Sequence, residues 1–201
     1  DIPNIENDSR KVQPGDMFIA IKGFKNDGTE YIKDAIANGA RVILAPDDTD
    51  KEIIKQIPEG VTIILHPDTR YALAICSCNF YENPSSKFKL VGVTGTKGKT
   101  TTVAVIADTL MSLGKNVLKV DTTGHFVNGE RRSTLDDSKN TWALVPTVAP
   151  GRYLYEFLIN PDLQKNGVAV LEAALGSSSI RGLAYKRHKV GIFLNVYEDH
   201  I

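Results

Sequence analysis

The feature that most constrains the fold is a glycine-rich loop between an apolar segment and a segment with helical periodicity. Residues 91–94 read Val-Gly-Val-Thr, residues 95–100 read Gly-Thr-Lys-Gly-Lys-Thr, and the residues up to 113 suit a helix that stops at Gly114. Glycines let backbone N–H groups converge on an anion, and the positive end of a helix dipole favours negative charge at the same place. Lys99 can reach terminal phosphates and the Thr100 hydroxyl can hold Mg²⁺. The pattern therefore predicts a phosphate-binding loop in an α/β fold.

One position departs from the usual spacing of such loops. A glycine is expected six residues before Lys99, where this chain has Val93, with Gly92 and Gly95 on either side. The alternative interpretation is a glycine-rich turn that carries exposed lysines. The agreement of strand, loop, Gly-Lys-Thr and helix favours the phosphate loop.

Short apolar and β-branched runs alternate with helical patterns along the whole chain. The predicted strands cover residues 17–22, 41–45, 61–65, 90–94, 116–120, 168–171 and 190–194, and the predicted helices cover 29–38, 49–56, 68–80, 99–113 and 153–159. This alternation predicts mainly parallel sheets covered by helices. The Asn-Pro-Ser-Ser sequence at residues 83–86 marks a domain boundary, which gives domains 1–86 and 87–201. Residues 130–140 are almost entirely polar and predict an exposed, mobile loop.

Composition excludes several functional classes. Lys and Arg total 24, and so do Asp and Glu, so no net field recruits nucleic acid or an anionic membrane. The chain has two cysteines, Cys76 and Cys78, which are too close for a comfortable disulfide and lack the second pair of a zinc site. No run of about 18 apolar residues is long enough to cross a bilayer. We expect a soluble, cytoplasmic protein with no nucleic-acid partner and no membrane insertion.

Polar residues follow two of the predicted strands. Glu172 comes directly after residues 168–171, and Asn195 and then Glu-Asp-His at 198–200 follow residues 190–194. Ligands of parallel sheets gather at the carboxyl ends of strands, so we expect these side chains on the same edge as the loop. An acid there can complete a metal site with Thr100. Taken alone, Glu172 could be a solvated acid and His200 a surface imidazole.

Longer motifs resemble the Mur ligase family, and within it the MurE-type UDP-N-acetylmuramoyl-tripeptide synthetases. The resemblance rests on Asp-Ser-Arg-Lys-Val-Gln-Pro-Gly-Asp-Met-Phe-Ile-Ala at residues 8–20, on Gly23, Asp27-Gly28, Tyr31-Ile32 and Gly39-Ala40, and on Phe-Tyr-Glu-Asn-Pro-Ser at 80–85 leading into 91–96. It covers essentially the whole chain. It implies that residues 1–86 form a small α/β domain that binds the UDP-linked substrate. Residues 87–201 would form the mainly parallel, P-loop ATPase domain, incomplete at its C-terminal end.

The resemblance also implies an activity and the residues that perform it. Such a ligase uses ATP and Mg²⁺ to phosphorylate a substrate carboxylate, and an amino group then displaces phosphate to form an amide. The partners would be UDP-N-acetylmuramoyl-L-Ala-D-Glu and an amino acid, in peptidoglycan precursor synthesis. The implied ATP-binding residues are Gly95, Thr96, Lys97, Gly98, Lys99, Thr100, Thr101 and, near the adenine, Asn195; the catalytic residues are Lys99, Glu172 and His200; the Mg²⁺ ligands are Thr100, Glu172 and His200; and the substrate-binding residues are Ser9, Arg10 and Thr147.

Part of the chain departs from the MurE pattern. Residues 172–183 and 190–200 look more like the ligase half of cyanophycin synthetases, and the Thr-Thr expected before the substrate helix is replaced by Pro146-Thr147. A ligase acting on another carboxylate, such as a polyamide, is therefore an alternative, as is a non-catalytic nucleotide-binding homologue. A P-loop switch GTPase or kinase is disfavoured because the chain lacks an Asn-Lys-x-Asp guanine motif. The family's carbamylated lysine and amine-binding domain would follow Ile201.

Overall fold

The computed structural model describes residues 1–22, 27–132, 154–174 and 187–197, with all of their side chains except 156 and 174. The chain divides into two compact units, Asp1–Leu73 and Ala74–Ile201. This division falls inside a helix, α3, that spans Thr69–Phe80. It lies earlier in the chain than the boundary expected at residues 83–86, and the domain limits 1–86 and 87–201 remain a sequence-based prediction.

The first unit contains a four-stranded parallel sheet. Its strands are β1 (Ile5–Glu6), β2 (Met17–Ile19), β3 (Val42–Pro46) and β4 (Thr62–His66), and they are adjacent in chain order. Its helices are α1 (Ile32–Ala37) and α2 (Lys51–Lys55), with single 3-10 turns at Ser9–Lys11 and Gly28–Tyr31. The three longer strands confirm the sequence prediction. Strand β1 was missed because two residues carry no readable apolar pattern.

Alternate residues of the strands build the core of this unit. Phe18 on β2 and Ile43 on β3 are completely buried and pack against Ile32 and Ala35 on α1. Full burial of one such side chain stabilises the fold by about 1.5–3 kcal/mol. The Asp68 carboxylate caps the helix that begins at Thr69, because it accepts from the Tyr71 N–H at 2.9 Å.

The second unit contains a six-stranded sheet in the order β10-β5-β9-β6-β7-β8. The strands are β5 (Lys89–Gly95), β6 (Asn116–Asp121), β7 (Gly124–Val127), β8 (Glu130–Arg131), β9 (Gly167–Ala174) and β10 (Val190–Phe193). The first four strands in that order are parallel, and β7 and β8 add antiparallel edges. The helices are α4 (Lys99–Ser112), α5 (Glu156–Ile159) and α6 (Pro161–Gln164). The α/β fold class with a mainly parallel sheet is confirmed.

The antiparallel edge corrects one expectation. Glu130 and Arg131 pair with β7 as a short strand, whereas residues 130–140 were expected to form a loop. Asn128 and Gly129 both have positive φ, 50° and 82°, which closes the hairpin between β7 and β8. Both strand residues remain exposed, and residues 133–140 lie outside the described part of the chain.

The two faces of β9 pack against different clusters. Val168 and Val170 join Val103 of α4 in one core, whereas Ala169 and Leu171 belong to a second core on the opposite face. This alternation follows from the two-residue period of a strand. Glu172 has the same parity as Val168 and Val170, so its side chain belongs to the face that carries α4.

The described residues include no helix that is both long and apolar enough to cross a membrane. The longest helices among them, α3 and α4, have 12 and 14 residues. A bilayer-spanning helix needs about 20 residues.

Candidate functional site

The glycine-rich loop joins β5 to α4, as its sequence predicts. Gly95 and Gly98 have φ values of +146° and +84°, which side-chain-bearing residues rarely adopt. A Cβ on Gly95 would lie 3.0 Å from the Leu194 Cβ, so the loop leaves no space for one. Helix α4 begins at Lys99, and among the described residues no side chain caps it. The amides of its first turn are therefore directed at the loop, which is the arrangement that binds anions.

Lys99 and Thr100 stand at the first turn of α4. The Lys99 ammonium donates to the Thr96 carbonyl at 3.0 Å, so it lies over the loop and outside the core. The Thr100 hydroxyl donates to the Glu172 carboxylate at 2.8 Å, although the two residues are far apart in sequence. The structure brings Glu172 and Thr100 together, as the sequence predicts, and their roles as Mg²⁺ ligands stay predictions. Strand β9 continues to Ala174, so Glu172 lies inside the strand and not beyond its end.

The oxygens of Thr100 and Glu172 suit a hard cation. An octahedral Mg²⁺ binds oxygens at about 2.0–2.1 Å, so two adjacent ligands lie about 2.9 Å apart. The observed separation of 2.8 Å is that of an ordinary hydrogen bond, and it is also close to this spacing. Glu172 is only 3% exposed, so few waters compete for its carboxylate. The hydroxyl of Thr122 lies 3.4 Å from that of Thr100 and adds a third oxygen to the same edge.

Thr122 was missed by sequence reasoning, although a signal was present. It directly follows β6, and the rule that placed Glu172 and Asn195 at the carboxyl edge applies to it equally. The preceding residue, Asp121, is completely buried; its carboxylate binds the Lys119 ammonium at 2.6 Å and accepts from the Thr123 N–H at 2.8 Å. The Lys119 ammonium also lies 3.9 Å from the centre of the Phe126 ring. These contacts fix the turn that presents Thr122.

Asn195 follows β10 and contacts the loop. Its side-chain oxygen accepts from the Lys97 N–H at 3.0 Å, and its side-chain nitrogen donates to the Lys97 carbonyl at 3.1 Å. The structure thus brings Asn195 to the predicted site, but its amide group binds loop backbone, whereas the resemblance implied a position near the adenine.

Ser9 and Arg10 belong to the first unit and lie in its first 3-10 turn. Ser9 is buried, and its carbonyl accepts from the Asn38 side chain at 2.9 Å. The Arg10 guanidinium binds the Asp8 carboxylate through two hydrogen bonds, of 2.8 and 2.7 Å. The hydrogen bond from Arg10 holds the pKa of the buried Asp8 below its usual range, and Asp8 in turn raises the pKa of Arg10. The guanidinium is therefore held in one orientation while more than half exposed.

Several predicted residues lie outside the described residues. Among the predicted site residues these are Thr147 and His200, and Gly23, Pro146, Glu198 and Asp199 lie there too. Their roles stay predictions. The described part of the site comprises the loop, Lys99, Thr100, Glu172 and Asn195, and separately the turn that contains Ser9 and Arg10.

The fold and the loop define the second unit as a P-loop α/β protein. Comparison with known families identifies the family to which the chain belongs. The profile described as "Mur ligase family, catalytic domain" matches residues 1–81, and the profile "Mur ligase middle domain" matches residues 93–201, which is more than half of the chain. The chain belongs to the Mur ligase family.

Similar proteins carry a common name. The UDP-N-acetylmuramoyl-L-alanyl-D-glutamate--2,6-diaminopimelate ligase of Clostridium perfringens is 30% identical over 200 residues, and that of Clostridioides difficile is 34% identical over 203 residues. Both alignments cover 100% of this chain and 38% of the relative. The chain therefore spans well under half the length of these relatives. Their names support the MurE-type resemblance and give no support to the cyanophycin-synthetase-like one.

Solved structures agree with the fold. A UDP-N-acetylmuramoyl-L-alanyl-D-glutamate--2,6-diaminopimelate ligase superposes with a TM-score of 0.67 over 100% of this chain and 37% of its own, at 21% identity, which shows the fold alone. The MurF ligase from Thermotoga maritima, solved in complex with ADP, gives a TM-score of 0.54 at 26% identity over 96% of this chain and 37% of its own.

Proposed function

We propose that this chain is part of an ATP-dependent ligase that activates the carboxylate of a UDP-linked muramoyl dipeptide and joins an amino acid to it. The observation that carries the proposal is the contact between Thr100 and Glu172 beside the glycine-rich loop. A loop alone predicts phosphate binding, and the acid adds a cation site at the same place. The names of the similar diaminopimelate ligases supply the substrate class.

The residues around the loop divide the work of binding ATP. The backbone amides at the start of α4 bind phosphate oxygens, and Lys99 moves its ammonium from the Thr96 carbonyl to the terminal phosphates. In phosphoryl transfer the negative charge spreads over the γ-phosphoryl oxygens, and fixed cations and amides stabilise it. Thr100 and Glu172 would hold Mg²⁺, which when bound neutralises phosphate charge. Because the amides of the first turn, Thr100 and Glu172 are already placed, the required reorganisation is mainly that of the Lys99 side chain.

The proposed reaction has two steps. A carboxylate oxygen of the dipeptide attacks the γ-phosphorus of ATP, the bond to the β-phosphate oxygen breaks, and ADP leaves. The amino group of the incoming amino acid then attacks the acyl carbon, phosphate leaves with the former carboxylate oxygen, and the amine loses a proton. The resemblance assigns His200 to a second Mg²⁺ and Thr147 to the substrate.

Arg10 suits the uridine diphosphate for an electrostatic reason. A guanidinium has five N–H donors, and the two hydrogen bonds to Asp8 leave others for an anion. Its orientation is already fixed by Asp8, so little side-chain entropy remains to be lost on binding. Ser9, in the same turn, is buried. The neutral net charge of the chain is compatible with such local recognition.

The competing proposals differ in what they require. A non-catalytic homologue has no need of Lys99, Thr100 and Glu172 together, and all three are present with the described contacts. A polyamide ligase would keep these residues and lose uridine-nucleotide binding. Measurements of uridine-nucleotide binding and of ligation therefore distinguish the three proposals.

The experiment uses the full-length protein with ATP, Mg²⁺, UDP-N-acetylmuramoyl-L-Ala-D-Glu and 2,6-diaminopimelate. We expect ADP release that requires the muramoyl dipeptide, a mass-spectrometric amide product, and calorimetric binding of the dipeptide and, more weakly, of UDP. An Arg10→Ala variant should weaken binding of both uridine nucleotides and leave ATP binding intact. Normal ATP binding without any uridine-nucleotide binding would refute the substrate assignment and favour another carboxylate.

A further inference from the structure

The backbone N–H and C=O of Lys97 are both bound by one side chain. Asn195 accepts from the Lys97 N–H and donates to the Lys97 carbonyl, at 3.0 and 3.1 Å. This pair of hydrogen bonds imitates the pairing of a neighbouring strand. A primary amide offers both an acceptor and a donor, as these two contacts require.

The contact extends along the segment that follows β10. The Thr96 N–H donates to the Asn195 carbonyl at 3.1 Å, and the Tyr197 N–H donates to the Thr96 hydroxyl at 3.0 Å. A Cβ on Gly95 would lie 3.2 Å from both the nitrogen and the carbonyl oxygen of Asn195. The close approach of this segment thus gives Gly95 a second reason to be glycine. The segment 195–197 therefore fixes the conformation of three successive loop residues, 95–97.

These hydrogen bonds restrict which amides can receive phosphate. The N–H groups of Thr96 and Lys97 already donate to Asn195, so they are not available to a ligand while the contact persists. The Lys97 N–H is held by a side chain and the Thr96 N–H by backbone, so a substitution at Asn195 removes the former and retains the latter. A change of side chain therefore leaves the backbone contact of this segment in place.

We propose that Asn195 is a positioning residue, which holds the phosphate loop in its binding conformation and does not itself contact the nucleotide. The inference rests on the proposed ATP-dependent function. A loop that is held before the ligand arrives loses less conformational entropy on binding. Loss of the Asn195 amide therefore weakens ligands that carry β- and γ-phosphates and leaves the adenosine part of the nucleotide unaffected.

The test compares Asn195→Ala and the near-isosteric Asn195→Asp in the full-length protein. The control is Asn116→Ala, because the Asn116 side chain also donates to backbone, to the Asp162 and Lys165 carbonyls, but at the other end of the sheet. Loss of two neutral hydrogen bonds predicts a rise of about ten- to thirty-fold in the Kd of ADP and the KM of ATP for Asn195→Ala. Asn195→Asp keeps the acceptor for the Lys97 N–H but brings a charged carboxylate oxygen against the Lys97 carbonyl, so its rise should be at least as large as that of Asn195→Ala.

Adenosine, measured as an inhibitor competitive with ATP, distinguishes positioning from direct contact. Its inhibition constant should change less than about twofold in both Asn195 variants. An equal weakening of adenosine and ADP would overturn the proposal and place Asn195 against the base. Unchanged ADP binding in both variants would also overturn it, provided that Lys99→Ala weakens ADP in the same assay. Failure of the wild-type protein to bind ATP would instead refute the proposed function. That outcome is distinguishable from both results that overturn the positioning role.

Amide hydrogen exchange on the unmodified protein gives an independent check. We expect the Lys97 amide to exchange slowly without nucleotide and to be unchanged by ADP, whereas the amides of Lys99 and Thr100 become slower when ADP binds. Fast exchange at Lys97 that slows on ADP addition would show that this amide receives phosphate, which contradicts the positioning role.

Discussion

Replacement of Glu172 by Gln separates the metal-binding role of this residue from its structural role. The carboxylate accepts from the Thr100 hydroxyl at 2.8 Å in an almost fully buried position. Gln keeps the size and an acceptor oxygen, so a charge-assisted hydrogen bond becomes a neutral one, at a cost of about 1 kcal/mol. A hard cation loses a full negative ligand, and changes around metal sites lower affinity by about ten- to a hundred-fold. The effect on Mg²⁺ should therefore exceed the effect on stability.

The assay is the Mg²⁺ dependence of ADP release at saturating ATP and acceptor. For Glu172→Gln we expect the half-saturating Mg²⁺ concentration to rise by at least about ten-fold, with a melting temperature within a few degrees of wild type. The matched control is Glu82→Gln, which removes an exposed acid paired with Lys87 in the same unit. Superimposable Mg²⁺ titrations for Glu172→Gln and wild type would show that Glu172 is a buried structural acid and not a ligand.

Three further predictions follow from the described contacts. Lys99→Ala should lower ligation by about several hundred-fold with an unchanged melting temperature, and Lys89→Ala, at the far end of β5, should stay within about three-fold; equal losses would refute the loop assignment. Burial, aided by the Arg132 charge, lowers the pKa of His125 to about 4 from 6.5. The folded state favours neutral His125, so the free energy of unfolding has its full value above about pH 6.5. It decreases as the pH falls towards 4, by about 1.4 kcal/mol per pH unit and about 3 kcal/mol in total. Urea unfolding of His125→Leu should show a shallower loss of stability over this window than wild type, and parallel curves would contradict the burial argument. Gly167→Ala should destabilise by about 3 kcal/mol in the same assay because its Cβ would overlap the Leu163 carbonyl; a loss below about 1 kcal/mol would show that the backbone relaxes freely there.

The sequence predicts the parallel part of the fold because its signals are local. Buried parallel strands read as apolar runs, and the run at residues 168–171 is apolar on both faces. Two-residue strands such as β1 and β8 have no such signal, because their pairing depends on a neighbour that the chain supplies elsewhere. The Asn128-Gly129 pair is typical of a hairpin turn and could have indicated the one between β7 and β8.

The sequence predicts which residues form the site better than it predicts the contacts between them. The rule that strand ends share an edge correctly brings together Thr100, Glu172 and Asn195. The rule does not predict that the Asn195 side-chain amide binds the N–H and C=O of Lys97. The direction of that side chain depends on how far the chain continues beside the loop after β10. The parity of β9, in contrast, could have been read in advance, since Glu172 shares its face with Val168 and Val170.

The most direct test of the proposed chemistry follows one oxygen atom. UDP-N-acetylmuramoyl-L-Ala-D-Glu labelled with ¹⁸O in the reacting carboxylate is turned over by the full-length protein with ATP, Mg²⁺ and 2,6-diaminopimelate, and the released phosphate is analysed by mass spectrometry. Attack of the carboxylate on the γ-phosphorus predicts one ¹⁸O atom in each phosphate formed, together with ADP. Unlabelled phosphate, or release of AMP and pyrophosphate, would contradict the account.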